Sequence, residues 1–257
     1  MTMKPTYIYD GSFEGLLCAV AAAVKSNISP EKISDRENYL PGLYDRITHV
    51  APDPAQAQRL FSYLTTLGRN PLRLVINGFL SEDPQIGMHI YYFVRYSLAR
   101  GTGAASDITH DSIAHLHKTA RKVSFEAHRF TGLIRFRILE DGLQYAPFEP
   151  DHNILGYLAK HFSKRLQNRR WILHDVRRKT GAYWDGSSLH EAAVDHDFTS
   201  HVTKTGEIPD SQLTETEKYY QGLWKSFHNQ ISNPNRKNLN LQRQHMPKRY
   251  WKYLTEL

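Results

Sequence analysis

The sequence predicts an α+β fold: a small antiparallel sheet with a strand-strand-helix-strand-strand core at residues 128–185, packed with flanking N- and C-terminal helices. Two observations carry this. Period-2 alternation between His128 and Asp185 is interrupted once by an apolar stripe at helical spacing, and helical stripes dominate on both sides of that stretch. No internal repeat or linker forces a cut in the 257 residues, so a single domain is expected, with a mostly helical part at 1–123 and a basic, sheet-containing part at 124–257 as its natural subdivision.

Tyr7 to Asp10 reads as a short strand, turned by Gly11-Ser12 into a helix whose apolar face is Phe13, Leu16, Leu17, Val20, Ala21 and Val24. Ser12 is the expected cap, with Glu14 complementing the helix dipole. The same backbone amides could instead receive a phosphate. Asn27 to Gly42 is polar and reads as a loop or short helix. Ile47 to Val50 is a second strand candidate, and Asp53-Pro54 opens a helix through Leu60, Phe61, Leu64 and Leu67 that Gly68 ends. Leu72 to Leu80 is apolar without clear period. Pro84 to Leu98 reads as a buried helix, closed by Arg100-Gly101-Thr102-Gly103. That glycine pair lacks the Lys-Ser/Thr of a nucleotide-binding loop. Asp107 to Val123 is a further helix, with Ile113, Leu116 and Ala120 inward.

In the central stretch, Arg129, Arg135 and Arg137 alternate with Phe130, Ile134, Phe136 and Ile138, which reads as a strand with one charged face. Glu140-Asp141-Gly142 turns it back along Leu143 to Phe148. Asp151 is placed to cap a helix with the stripe Ile154, Leu155, Leu158 and Phe162. Trp171 to Arg178 and Ala182 to Trp184 resume the sheet. Ser187 to Asp210 reads as an exposed polar excursion. Thr214 with Glu217 forms a capping box for a helix with Tyr220, Leu223, Trp224, Phe227 and Ile231 on one face, ended by Asn233-Pro234. The tail NRKNLNLQRQHMPKRYWKYLTEL suggests a short helix docked by its aromatics.

Charge is unevenly placed. Residues 1–120 hold 11 Lys/Arg and 11 Asp/Glu, and residues 121–257 hold 22 and 15, so the whole net charge of +7 lies in the second part. Lys160 to Lys179 contains eight basic residues and one acid, Asp175. Such a surface attracts polyanions, and DNA is the expected partner, with phosphate contacts from Lys164, Arg165, Arg169, Arg170 and Arg177. Trp171 and Trp184 lie among these charges and could stack on bases. Arg129, Arg135, Arg137 and Arg177 could line one sheet face along a phosphate backbone or be spent in ion pairs with Glu149, Asp151 and Asp175.

A candidate chemical cluster comprises Glu149, Asp151 and His152, where the second strand passes into the helix, with His174, Asp175 and His128 on neighbouring elements. These could supply an acid–base pair for phosphodiester or glycosidic chemistry, or could simply be helix-capping, hydrogen-bonded and ion-paired structural residues. None of the spacings is a metal signature, and neither metal nor cofactor is expected. Cys18 reads as a core residue. A single cysteine and an N-terminus without an apolar signal core make the cytoplasm the expected compartment, with no membrane association.

The blocks YIYDGSFEGLLCAV, HRFTGLIRF, YAPFEPDHNILGYLAKHF, WILHDVRR and NLQRQHMPKRYWKYLTEL resemble a bacterial family described as a "probable DNA metabolism protein". The resemblance implies association with a radical S-adenosylmethionine (SAM) protein of DNA modification or repair, and some longer relatives carry a uracil-DNA glycosylase domain. This chain has one cysteine and so no three-cysteine cluster motif, which assigns radical chemistry to a partner. On this reading the chain is a DNA-binding accessory or processing protein. The alternatives are a hydrolase or glycosylase-like enzyme using Glu149, Asp151, His152 and His174, or a protein-interaction subunit working through the aromatic tail and helix 214–231.

Overall fold

The computed structural model describes residues 4–26, 28–42, 44–194, 196–233 and 238–256, with the side chains of 196–199 outside that description. The chain divides into two compact units, Met1–Ser124 and Phe125–Leu257.

The first unit is built on a three-stranded parallel sheet of β1 (Pro5–Tyr9), β2 (Lys32–Asp35) and β3 (Arg46–His49), in the order β2-β1-β3. The central strand β1 is buried at every position, as a parallel strand covered on both faces must be. Helix α1 (Phe13–Lys25) makes the crossover to β2, so the expected loop at Asn27–Gly42 contains a strand; Asn27 itself lies outside the described residues. Ser12 caps α1, its Oγ accepting from the Gly15 amide at 2.9 Å. The Asp10 carboxylate occupies the place a phosphate would take at this helix start, where a Cβ on Gly15 would meet its Oδ1 at 2.1 Å. Helices α2 (Pro54–Thr66), α3 (Arg69–Leu80) and α4 (Ile86–Arg100) complete a core around Leu16, Val20, Leu64, Val75, Ile90 and Phe93. The aperiodic 72–80 run is therefore helical.

The largest departure from expectation is helix α5 (Asp111–Leu133), which continues through residues read as the first strand of the hairpin. Its buried positions explain why. Ile113, Leu116, Ala120, Val123, Glu126 and Phe130 recur every three or four residues, so the helical period persists through the apparent alternation of HRFTGL. Only β4 (Arg137–Ile138) remains of that strand.

In the second unit, β5 (Gln144–Phe148), α6 (Leu155–Arg165), β6 (Trp171–Asp175), β7 (Thr180–Trp184) and β8 (Leu189–Ala192) follow β4, giving the order β4-β5-β6-β7-β8. The fold is α+β, but the sheet is mixed: α6 crosses over, so β5 and β6 run parallel while the other pairs are antiparallel. The region 187–210 is not a plain excursion. Besides β8 it forms α7 (His196–Thr205), and Val202 and Ile208 join Tyr145, Val176, Leu213 and Tyr253 in a buried cluster. Thr214 caps α8 (Glu215–Ile231), its Oγ1 accepting from the Glu217 amide at 3.1 Å. The apolar stripe on its one face is exposed, with Tyr220 at 60%, Phe227 at 51% and Ile231 at 62%. Pro234 and the following Asn235, Arg236 and Lys237 lie outside the described residues. After α9 (Leu239–His245), a 3₁₀ segment, Lys248–Tyr253, docks through buried Tyr250 and Tyr253, as its aromatics suggested. No described helix is long and apolar enough to cross a membrane.

In the first unit, α4 approaches β2 so closely at Gly87 that an added Cβ would lie 2.7 Å from the Ile33 carbonyl oxygen. Gly87→Ala is expected to lower stability by about 1–3 kcal/mol through overpacking, read as a lower urea midpoint. An unchanged midpoint would refute this close approach.

Candidate functional site

The parallel pair β5 and β6 sets out the site, because elements leaving its two ends carry different chemistry. At the carboxyl end, where Phe148 lies opposite Asp175, the loop after β5 bears Glu149, Asp151 and His152 and the turn after β6 bears Arg177 and Arg178. At the amino end of β6 lies the α6–β6 connection with Lys164, Arg165, Arg169 and Arg170. A five-residue strand separates the two ends by roughly 16 Å.

The carboxyl end is organised by a residue that sequence reasoning missed. Glu126, 3% exposed on α5, accepts from the backbone amides of Asp151 at 2.8 Å and His152 at 2.9 Å and from the Tyr250 hydroxyl at 2.5 Å. The His152 Nδ1 lies 3.1 Å from its other oxygen. Burial opposes its charge, but His152, Tyr250 and the Asp151 amide outweigh it and hold the carboxyl down to about 2. Asp151 does not cap α6, whose first turn follows Ile154 without a side-chain cap. Its carboxylate pairs with Arg249, and its carbonyl accepts from Arg177 and Arg178. Glu149 takes Lys252 at 2.6 Å and the Tyr253 hydroxyl at 3.0 Å. Arg249, Tyr250, Lys252 and Tyr253 all come from the tail, and no local pattern announces a partner about a hundred residues away.

The remaining members of the expected chemical cluster are not assembled with these. His174 is 1% exposed and its Nδ1 meets the Tyr145 hydroxyl at 2.6 Å; burial pushes its pKa down to about 4 and keeps the ring neutral near pH 7. Asp175 is fully buried and bound to Arg178 at 2.8 Å. His128 is exposed on α5. Glu126, Asp151 and His152 each offer a ligand atom within 4.8 Å of the others. Both Glu126 oxygens and one Asp151 oxygen are engaged by Tyr250, two backbone amides and Arg249.

The arginine face expected on the first strand is likewise dispersed, because that strand is mostly helix. Arg129 lies on α5, Arg135 forms a 2.5 Å ion pair with Glu256, and Arg137 is buried. Arg177 lies at the opposite end of β6 from Arg169 and Arg170. Trp171 is fully buried and so not free to receive a base; it stacks on half-buried Trp184, whose indole N–H donates to the Gln167 carbonyl. What the structure does bring together is Lys160, Lys164, Arg165, Arg169 and Arg170, all exposed and, among the described residues, none in an ion pair.

A family model for a domain of unknown function, DUF4130, matches residues 84–256. The chain belongs to this family. The matched span of DUF4130 takes in α4, α5, the mixed sheet, the Glu126 cluster and the basic connection, and it begins after the parallel sheet of the first unit. No curated protein matches the chain.

Glu126→Gln is expected to cost about 1–3 kcal/mol by weakening acceptance from two buried amides and a hydroxyl. Because the folded carboxyl titrates below its ordinary value of 4.5, its contribution is present above that pH and lost as pH falls toward about 2. The stability gap between variant and wild type should therefore narrow across that window in urea melts; a gap independent of pH would contradict the assignment.

Proposed function

We propose that this chain is a DNA-binding accessory protein in DNA modification or repair that engages the phosphate backbone through Lys160, Lys164, Arg165, Arg169 and Arg170. The observation that carries this reading is that the eleven residues from Lys160 to Arg170 hold five exposed cations, no carboxylate and, among the described residues, no ion pair. Unpaired surface cations at this density gain most from displacing counterions on a polyanion. With Trp171 buried in the fold, contact is chiefly to phosphate, which favours binding indifferent to sequence. The family resemblance supplies the setting, in which a radical SAM protein performs the chemistry on the DNA held here.

A protein partner is supported by a separate observation. Helix α8 leaves Tyr219, Tyr220, Leu223, Trp224, Phe227 and Ile231 exposed along one side, beside an open cavity of about 750 Å³ that also touches Phe136 and Arg135. A row of uncovered aromatics suits a protein contact, and the radical SAM protein is the partner we assign to it.

Two measurements test these readings. Duplex DNA affinity should fall with salt at a log–log slope of up to about −4.5 if all five cations meet phosphates, and each Lys/Arg→Gln change should reduce that slope by about 0.9; binding insensitive to salt, or to all five changes, would sink the proposal. Tyr220→Ser with Phe227→Ser should abolish co-purification with the radical SAM protein and leave DNA affinity unchanged. Retained co-purification would exclude α8 as the contact.

A further inference from the structure

Arg137 presents an unusual state for a buried cation. It is 5% exposed, yet among the described residues no carboxylate is in ion-pair contact with it; Nη1 donates to the Gly206 carbonyl at 3.0 Å and Nη2 to the Tyr253 carbonyl at 3.2 Å. A guanidinium has five N–H donors, so three are left, and Nε is buried with no partner among the described residues. Taking a charge out of water is costly, and burial pulls the guanidinium's pKa down although Glu217 and Glu207 act on it from beyond ion-pair distance. Arg137 also lines a polar cavity of about 390 Å³, within the size range of small-ligand sites.

The surrounding backbone holds the guanidinium in place. Gly206 adopts φ +75°, and a Cβ there would fall 2.1 Å from the Lys252 carbonyl oxygen, so the segment presenting the Gly206 carbonyl is packed tightly against the tail. Around the mouth stand exposed Lys225 and the exposed carboxylates of Glu207 and Asp210. The exposed acids Glu207 and Asp210 are screened by solvent, so the cavity offers cationic donors at Arg137 and Lys225 beside acceptors at Glu207 and Asp210, with the charge of buried Glu217 acting on Arg137 from beyond ion-pair distance.

We propose that this cavity binds a phosphomonoester of nucleotide size, with the phosphate on Arg137 and Lys225 and the hydroxyl or amine donors of the remainder meeting Glu207 and Asp210. A phosphate supplies several acceptor oxygens to a fixed planar fork, which the unused Nη N–H groups of Arg137 match. The site goes beyond DNA binding through the α6–β6 connection and shares no residue with it. The same phosphomonoester chemistry is available from a free nucleotide and from the 5′ end of a DNA strand.

The test is calorimetric titration of the full chain with deoxyadenosine monophosphate and with inorganic phosphate at constant ionic strength. Wild type should bind deoxyadenosine monophosphate saturably at one site and more tightly than phosphate; Arg137→Gln should abolish this, Lys225→Gln should weaken it about tenfold, and Glu207→Gln should leave the phosphate affinity undiminished. Absence of saturable binding overturns the proposal, as does wild-type affinity in a folded Arg137→Gln variant. If that variant fails to fold, wild-type affinity in Lys225→Gln does so instead. A gain in affinity for a 5′-phosphorylated over a 5′-hydroxyl oligonucleotide assigns the strand end as the source, and equal affinities with retained monophosphate binding assign the free nucleotide. A variant with Lys164, Arg165, Arg169 and Arg170 changed to Gln should keep monophosphate binding, so failure of DNA binding and failure of this site are read separately.

Discussion

The carboxylate of Glu126 is the constraint on which the carboxyl end of the second unit depends. It sits in a low-dielectric setting where an isolated charge would be severely penalised, and it survives there because backbone amides at Asp151 and His152 and the Tyr250 hydroxyl converge on it. Three segments distant in sequence thereby meet at one side chain: α5, the loop leaving β5, and the tail. The tail returns further contacts, since Arg249 pairs with Asp151 and Lys252 with Glu149. Much of the apparent chemistry of this corner is thus the wiring that holds a tail onto a sheet.

This arrangement gives the two ends of the parallel pair distinct characters. At the carboxyl end every carboxylate of the corner has a cationic or hydroxyl partner, and little capacity is left for an incoming group. At the amino end of β6 the opposite holds: five exposed cations have no carboxylate in ion-pair contact among the described residues. Pairing costs a surface cation its affinity for other anions, so the unpaired end is where a polyanion gains most. Trp171 and Trp184 sit just below this surface, and their mutual stacking anchors the strand on which the basic connection is mounted.

What could be read from sequence follows the range of the interactions involved. The stripe of α6, the Thr214 cap and the basic run are local, set by residues three or four apart or by composition alone, and they were legible. Glu126 was not, because a glutamate seven residues from the end of an amphipathic helix looks like a solvated one, and its partners lie 25 and 124 residues away. The strand read at 129–138 failed because short windows of HRFTGL satisfy both periods, and the longer register from Ile113 to Phe130 decides between them. The α8 stripe was recognised as apolar, but amphipathicity states only that a face wants cover, not that its own fold supplies it.

The sheet's edges carry a further consequence. On one side β4 offers only two residues, and the position beyond it is taken by a bridge between Leu139 and Leu213; on the other, β8 is four residues long with exposed His190 and Glu191. Edges this short and polar leave little unpaired backbone to extend. A partner of the second unit must therefore be recognised by side chains, since strand addition to its sheet has almost no template to work from.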